Sequence, residues 1–218
     1  MSIRTTEQLS DALSEEIVWR KKELTALRLM VESKALSPDR RTTLLRGAVA
    51  LLYAHWEGFV KAAGRAYLEF VHYQRLPYRK LARNFVALGA RGILAKASET
   101  SKVRAHIDVV DFFLGSLDDR CVLPYREGIN TQSNLSSRVL RDIVDTLGLD
   151  YSDFETKEKL LDELLLKQRN TIAHGEYLTT TLDAYIELYE QILIMMESFR
   201  TQVDNAAALK KYLVDTQT

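Results

Sequence analysis

The chain has 218 residues, and its 30 Lys and Arg are balanced by 30 Asp and Glu, so the formal net charge is zero. This length indicates one domain and is ample for a packed core. The single cysteine, Cys121, excludes an internal disulfide, which makes a reducing cytoplasm the expected environment. Acidic residues interrupt the first 16 positions and no apolar run is long enough to cross a bilayer, so we expect neither a signal peptide nor a membrane span.

The composition predicts an all-α protein, because only three Pro and nine Gly interrupt the chain. A capping-box pattern of Thr5 and Gln8 predicts a first helix that ends near residue 33. Ser37 followed by Pro38 predicts the start of a second helix, which meets no breaker before Pro77 and reaches up to roughly 38 residues. Three glycines inside this second helix predict that another helix or subunit approaches it closely: Gly47, Gly58 and Gly64.

The middle of the chain is expected to form a helical insertion, about residues 78–133, within a single domain of residues 1–218. It should contain a basic amphipathic helix to about residue 97 and a shorter helix over about residues 101–114. Proline, glycine and mixed polar residues indicate a loop over about residues 115–133.

The last third is expected to contain three helices. Asn134 is the predicted capping residue of the first of them, and Gly148 should end it. The second should begin near Phe154 or Glu155 and end before Gly175, and the third should cover about residues 181–213. The architecture predicted is therefore a helical bundle with long helices and an inserted helical segment.

Charge is unevenly distributed along this neutral chain. Residues 142–163 carry eight acids against two lysines, whereas residues 61–104 carry ten basic residues against Glu69 and Glu99. The basic stretch is a candidate contact for a polyanion, with Arg79, Lys80 and Arg83 at its centre. The alternative is that both stretches are solvated helix faces.

The segment Arg169-Asn170-Thr171-Ile172-Ala173-His174-Gly175 carries the residue types that phosphate chemistry needs. Arginine offers a permanently charged planar fork to phosphate oxygens. Histidine can give or take a proton near neutral pH. On a helix, Asn170 and His174 share a face, whereas Arg169 must reach round from its edge. The competing interpretation is that Arg and His in a last helical turn only complement the helix dipole.

Other chemistry finds little support in the sequence. The four histidines form no metal-ligand spacing with one another or with Cys121, and no glycine-rich phosphate loop or serine nucleophile elbow is present. We therefore expect no metal and no cofactor. His55-Trp56-Glu57 lies on an otherwise apolar helix, so these residues are either an interior hydrogen-bonded pair, a dimer contact, or, for Glu57, a group supporting the site.

Arg169-Asn170-Thr171-Ile172-Ala173-His174 resembles the Arg-x(4–6)-His motif of the HEPN superfamily, in which a polar residue typically follows the Arg. The Trp56-Glu57-Gly58 stretch is similar to that of the MAE-type HEPN-like nuclease subfamily. The same subfamily is resembled by Gln132-Ser133-Asn134-Leu135 and by Leu147-Gly148-Leu149. The resemblance extends over about residues 42–199, with long intervals that carry no diagnostic motif.

This resemblance implies a helical bundle that dimerises and brings two Arg/His motifs into one cleft. It implies a metal-independent endoribonuclease that acts as a toxin or in phage defence, with RNA as substrate and an antitoxin or another defence protein as a possible partner. Arg169 would stabilise the phosphate, His174 would transfer the proton, and Asn170 would hold the imidazole or the phosphate. The alternative is a non-catalytic HEPN module that binds a nucleotide or a partner protein.

Overall fold

A computed structural model describes residues 2–214, and within that range the chain forms eight α-helices and no strand. The all-α prediction is confirmed. A short 3-10 helix, Tyr78–Lys80, precedes the third helix, and a π-helical segment, Leu160–Leu166, precedes the seventh. The helices are α1 Thr6–Glu32, α2 Pro38–Tyr73, α3 Arg83–Ser98, α4 Val103–Gly115, α5 Ser137–Leu147, α6 Ser152–Glu155, α7 Lys167–Ala173 and α8 Leu182–Ala208.

The three long helices α1, α2 and α8 pack against one another and form most of the core. The predicted capping box is confirmed, since the Thr5 side chain accepts from the Gln8 N–H and the Gln8 side chain accepts from the backbone N–H of Thr5. The second helix is continuous, as predicted, and has 36 residues. Its centre is deeply buried, because Tyr53, Trp56 and Phe59 are at most 1% exposed.

The glycines of α2 have different surroundings. A Cβ at Gly58 would lie 3.2 Å from a guanidinium nitrogen of Arg20, which belongs to α1, so this glycine does permit a close approach. At Gly64 the neighbours are the side chains of Ile129, a loop residue, and of Leu147, the last residue of α5, so another helix lies close there as well. Gly47 has nothing within 4 Å, so the close approach predicted there is not found within the described chain.

The segment of residues 78–133 packs onto the same core through Tyr78, Leu81, Phe85 and Leu88. Helix α3 is not broken by its two glycines, and it packs against α4 on one side and α5 on the other. Asn84 Nδ2 donates to the carbonyl of Thr146 at 2.9 Å and so ties α3 to the C-terminal end of α5.

Three helix boundaries in the last third were predicted wrongly, and one of them is the end of α8, which lies at Ala208 and not near residue 213. Asn134 is not the capping residue of α5; that role belongs to Ser136, whose side chain accepts from the Val139 N–H. The helix predicted to begin near Phe154 is divided into the short α6, the π-helical segment and α7. By contrast, Gly148 ends α5 in the left-handed conformation, as predicted. No helix of the described chain is long and apolar enough to span a membrane.

Candidate active site

Helix α7, which carries Arg169, Asn170 and Ile172, follows directly on the π-helical segment. There the Lys167 N–H donates to the Asp162 carbonyl, five residues back, instead of the four of an α-helix. One additional residue in a turn rotates everything downstream by about 100° relative to a continuous α-helix. The face of α7 that Arg169 occupies is therefore set by this segment, and π-turns of this kind are frequent at functional sites.

Asp162 also anchors the segment to α5. Its two carboxylate oxygens accept from the backbone N–H of Ser137 at 2.7 Å and from the Ser137 hydroxyl at 2.6 Å. The carboxylate thus satisfies an otherwise unpaired N–H in the first turn of α5, where negative charge is favoured by the helix dipole. This contact fixes the start of α5 against the helix that leads to Arg169.

The guanidinium of Arg169 is held by three neighbours. One terminal nitrogen donates to Asn170 Oδ1 at 2.7 Å, and the other donates to the carbonyl of Ser133 at 3.1 Å. Its central carbon lies 4.4 Å from the centre of the Tyr53 ring, which places the cation on an aromatic face. Arginine has five N–H donors, so donors remain for a phosphate. Arg169 is therefore preorganised and still has N–H donors available for a ligand.

Tyr53 joins Arg169 to the loop that precedes α5. Its hydroxyl accepts from the Leu135 N–H at 2.7 Å, and both residues are buried. Burial raises the pKa of Tyr53 to about 12, so the hydroxyl stays protonated at neutral pH. The neighbouring carboxylate of Glu57 contributes to this rise, and the hydrogen bond from the Leu135 N–H opposes it. Sequence reasoning did not identify Tyr53, because it is far from Arg169 in sequence and lies in a mostly apolar stretch of α2.

The same loop contains two consecutive non-glycine residues with positive φ, Gln132 at 55° and Ser133 at 53°. Such a backbone conformation costs free energy for residues with a side chain and is concentrated at functional sites. In this loop the positive-φ conformation directs the Ser133 carbonyl towards Arg169. The next residue is Asn134, whose Oδ1 lies 3.3 Å from the side-chain amide nitrogen of Asn170. The two asparagines and the arginine thus form one hydrogen-bonded chain.

His174 lies at the C-terminal end of α7 and is exposed. Its backbone N–H donates to the Asn170 carbonyl at 3.0 Å, and Gly175 follows with φ of +75°, the left-handed helix end predicted from the sequence. Although Asn170 and His174 were predicted to share a helix face, the Asn170 side chain is hydrogen-bonded to Arg169 and Asn134. Within residues 2–214 no hydrogen bond engages the His174 imidazole, which leaves it available to a ligand.

The chain after His174 is tied back to α2. Arg46 donates to the Glu176 carbonyl at 2.9 Å, and its guanidinium carbon lies 5.8 Å from the centre of the Tyr177 ring. This contact holds the turn that presents His174 against the N-terminal half of α2. Arg169 and His174 are consequently positioned by the same long helix.

Comparison with protein-family models gives a match to RiboL-PSP-HEPN over residues 15–205. The match covers most of the chain, including every helix that positions Arg169 and His174. The chain belongs to the RiboL-PSP-HEPN family. The HEPN resemblance read from the motif is thereby confirmed, and the finer likeness to the MAE-type subfamily stays a prediction. Searches of curated proteins and of solved structures gave no match. HEPN membership is consistent with a nuclease or an RNA-related role.

In this HEPN chain Glu57 lies beside the site but not on Arg169. It is half-buried and lies one helical turn after Tyr53 on α2, where its carboxylate helps to raise the pKa of the Tyr53 hydroxyl. His55 lies elsewhere: it is 4% exposed, its Nε2 is 3.0 Å from a carboxylate oxygen of Glu23, and its ring packs on Trp19. His55 is therefore interior, but the carboxylate beside it is that of Glu23, and the predicted interior pair of His55 and Glu57 is not formed. Glu57 remains a candidate supporting residue.

The basic residues proposed for RNA contact lie far from the motif within one chain. The 20 residues of α2 between Tyr53 and Tyr73 span roughly 30 Å, and the 3-10 helix with Arg79 and Lys80 follows that far end. Arg79, Lys80 and Arg83 are all exposed, and Arg79 is ion-paired with Asp118. Their role in RNA binding stays a prediction, and it requires a strand long enough to reach from one end of α2 to the other.

A polar pocket lies much closer to the motif. It is lined by side chains of the strained loop and of the first turns of α5: Gln132, Asn134, Ser136, Arg138, Val139 and Asp142. Asn134 belongs to this pocket and also contacts Asn170. Within residues 2–214 no three His, Cys, Asp or Glu side chains are grouped as metal ligands.

Proposed function

We propose that this HEPN protein is a metal-independent endoribonuclease whose catalytic residues are Arg169, His174 and Asn170. The observation that supports the proposal best is the state of Arg169. Its guanidinium is fixed by an aromatic face, an amide and a carbonyl. The same helix ends five residues later at His174, whose imidazole makes no hydrogen bond within residues 2–214. Phosphoryl chemistry uses a positioned cation together with an accessible proton-transfer group.

The reaction needs no group from outside the RNA except a base, an acid and a cation. The 2′-hydroxyl of the substrate loses its proton to a base and attacks the adjacent phosphorus, and the 5′-oxygen leaves after it receives a proton from an acid. His174 transfers the proton, and Arg169 stabilises the charge of the phosphorane. Asn170, whose Oδ1 accepts from Arg169, keeps the guanidinium in place. The products are a 2′,3′-cyclic phosphate and a 5′-hydroxyl.

One chain offers one His174, whereas the reaction requires a base and an acid. A two-fold homodimer would bring a second His174 and a second Arg169 into the same cleft. Since His174 is exposed and α7 ends at the surface, the motif is accessible to a partner subunit. The homodimer is therefore part of the proposal.

A second candidate function is favoured by the bonds that Arg169 already makes. Its contacts with Asn170, Ser133 and Tyr53 stay within the chain, as expected for an arginine that stabilises a loop. On this alternative the protein is a non-catalytic module that binds a nucleotide or a partner protein through the same surface. A role in a toxin–antitoxin or phage-defence system, with an antitoxin or another defence protein as partner, belongs to the nuclease proposal.

The two candidates are separated by incubating RNA with purified protein in EDTA. The nuclease proposal expects cleavage by the wild type, and a loss of about 10²–10⁴ in rate for His174→Ala. A substrate with 2′-deoxyribose at the scissile position should resist, because its nucleophile is missing. His174 is exposed at a helix end, so its replacement should cost at most about 1 kcal/mol of stability. A fully active His174→Ala protein would contradict the assignment, and absence of wild-type cleavage on varied RNAs would favour the binding module.

A further inference from the structure

Helix α4 exposes an apolar stripe on the side opposite its attachment to the protein. Within residues 2–214, Ala105 and Phe112 are the residues of α4 that are buried. The exposed stripe consists of Val103, Ile107, Val110 and Leu114, which are 69%, 40%, 52% and 84% exposed. At 3.6 residues per turn these four side chains lie within an arc of roughly 60°. A helix that is apolar on two opposite faces is normally covered on both of them.

The spacing of the stripe is symmetrical about its own centre. Val103 and Leu114 are equidistant in sequence from the midpoint between Ile107 and Val110. Two copies of α4 that pack antiparallel about a two-fold axis through this midpoint would therefore place Val103 against Leu114 of the partner subunit. Ile107 would likewise face Val110 of the partner subunit. Such isologous pairing requires a self-complementary surface, and this stripe has that property.

The charges beside the stripe are also self-complementary. Arg104 and Asp111 lie on the same flank of α4, within about 20° of each other around the helix axis. In the two-fold antiparallel arrangement this flank faces the same flank of the second copy. Arg104 then lies about two residues, or roughly 3 Å along the axis, from the position opposite Asp111 of the partner subunit. Arg104 Nε already pairs with Asp108 of the same helix at 3.2 Å, and its terminal nitrogens would form two symmetric ion pairs across the interface. A parallel two-fold arrangement would instead place the two flanks on opposite sides of the interface.

We infer that α4 is a docking surface for a second copy of this chain, packed antiparallel through Val103, Ile107, Val110 and Leu114. The surface is separate from the Arg169/His174 motif. Phe112 of α4 packs on Tyr78, with ring centroids 5.0 Å apart, at the far end of α2 from Tyr53. The α4 contact does not rest on the nuclease proposal. Where the motifs also pair, it joins one dimer to another.

One 13-residue helix covers less area than a standard protein interface, so the association is expected to be weak, with a Kd on the order of 10–100 µM. Sedimentation velocity from 1 to several hundred micromolar should show the mass of the wild type rising at least twofold over this range, because a motif dimer carries two α4 surfaces. Val110→Asp should remove that step and raise Kd at least about a hundredfold. The mass of the variant, monomer or motif dimer, should stay constant over the same concentration range.

Charge reversal tests the orientation. Arg104→Asp or Asp111→Arg alone should each raise Kd about tenfold, because like charges then face each other. The two substitutions together should restore the wild-type Kd, as a merely destabilised helix would not. His174→Ala should leave the Kd of the α4 association unchanged, because His174 is not part of that surface. This result separates the inference from the proposed function.

Engineered cysteines test the register under mild oxidation. Val103→Cys combined with Leu114→Cys should give a disulfide-linked species, whereas Val103→Cys alone should not, because eleven residues separate the two copies' positions by roughly 16 Å. The native thiol does not interfere, because Cys121 is buried and burial raises its pKa to about 11. Equal masses for wild type and Val110→Asp, no rescue by the double reversal, or cross-linking of Val103→Cys alone would each overturn the inference.

Discussion

The guanidinium of Arg169 lies 4.4 Å from the centre of the Tyr53 ring, and the hydroxyl of that ring accepts from the backbone of Leu135. A single buried tyrosine therefore supports the cation of the motif and also anchors the loop whose Ser133 carbonyl receives a hydrogen bond from that cation. The two functions use different parts of the side chain. They can be separated by substitution.

Tyr53→Phe keeps the ring and removes the hydroxyl, whereas Tyr53→Leu removes both. The first should cost about 1–3 kcal/mol of stability, since the buried Leu135 N–H loses its acceptor, and should leave most of the RNA cleavage. The second should also lower the cleavage rate by about 10- to 30-fold, because up to about 2 kcal/mol of cation–aromatic attraction is lost. Urea unfolding and single-turnover cleavage measure the two effects. Equal cleavage rates for Phe and Leu would show that the ring does not position Arg169.

The stability of the protein should fall in mild acid because of His55. Burial lowers the pKa of His55, and Arg20 adds to the effect, although Glu23 opposes it. The unfolded chain therefore binds a proton at a higher pH than the folded chain does. The corresponding stability is complete above pH 6.5 and is lost as the pH falls through the lowered pKa.

His55→Gln removes this titration and keeps a polar side chain. Between pH 7.5 and 5.5 the free energy of unfolding of the wild type should decrease more than that of His55→Gln. Part of the decrease should remain, since burial also lowers the pKa of His72, whose Nδ1 accepts from the Leu123 N–H. Urea unfolding at both pH values gives the comparison. An equal decrease in the free energy of unfolding for the wild type and His55→Gln would show that His55 does not cause the loss of stability in acid.

RNA binding by the basic end of α2 is a separate prediction. Lys80→Glu with Arg83→Glu, leaving Arg79 in its ion pair with Asp118, should weaken RNA binding and flatten its dependence on salt. The slope of log K against log salt should decrease by roughly 1.4 if both residues contact phosphates of a single strand. Lys22→Glu, an exposed reversal on α1, is the matched control. Unchanged RNA binding would contradict the prediction and would favour the alternative that the basic stretch is only a solvated helix face.

Much of the fold followed from local signals. The Thr5 capping box, Pro38 at the start of α2 and the left-handed glycines after α5 and α7 each act within a few residues, so the sequence alone predicted them. Asn134 failed as a helix cap because Ser136, two residues later, supplies the capping hydroxyl. The sequence around Asn134 does not distinguish these two polar residues.

The candidate site was predicted in its residues but not in its contacts. Arg169, Asn170 and His174 are adjacent in sequence, whereas Ser133 is 36 positions from Arg169 and Tyr53 lies on another helix. The π-helical segment, which sets the direction of Arg169, has no signal in the apolar pattern of residues 160–166. The contacts of Arg169 and the π-helical segment depend on packing between residues that are distant in sequence, and hydrophobic periodicity carries no information about such packing.

The most direct test of the proposed cleft is an activity measurement on mixed subunits in EDTA. Wild-type protein and His174→Ala protein, equally concentrated, are mixed and allowed to exchange subunits before RNA is added. If each cleft needs one His174 as base and another as acid, only dimers with two wild-type chains cut. The cleavage rate should then fall to about one quarter of that of the same total amount of wild-type protein. A rate of about one half would contradict the account, because each chain would then act alone.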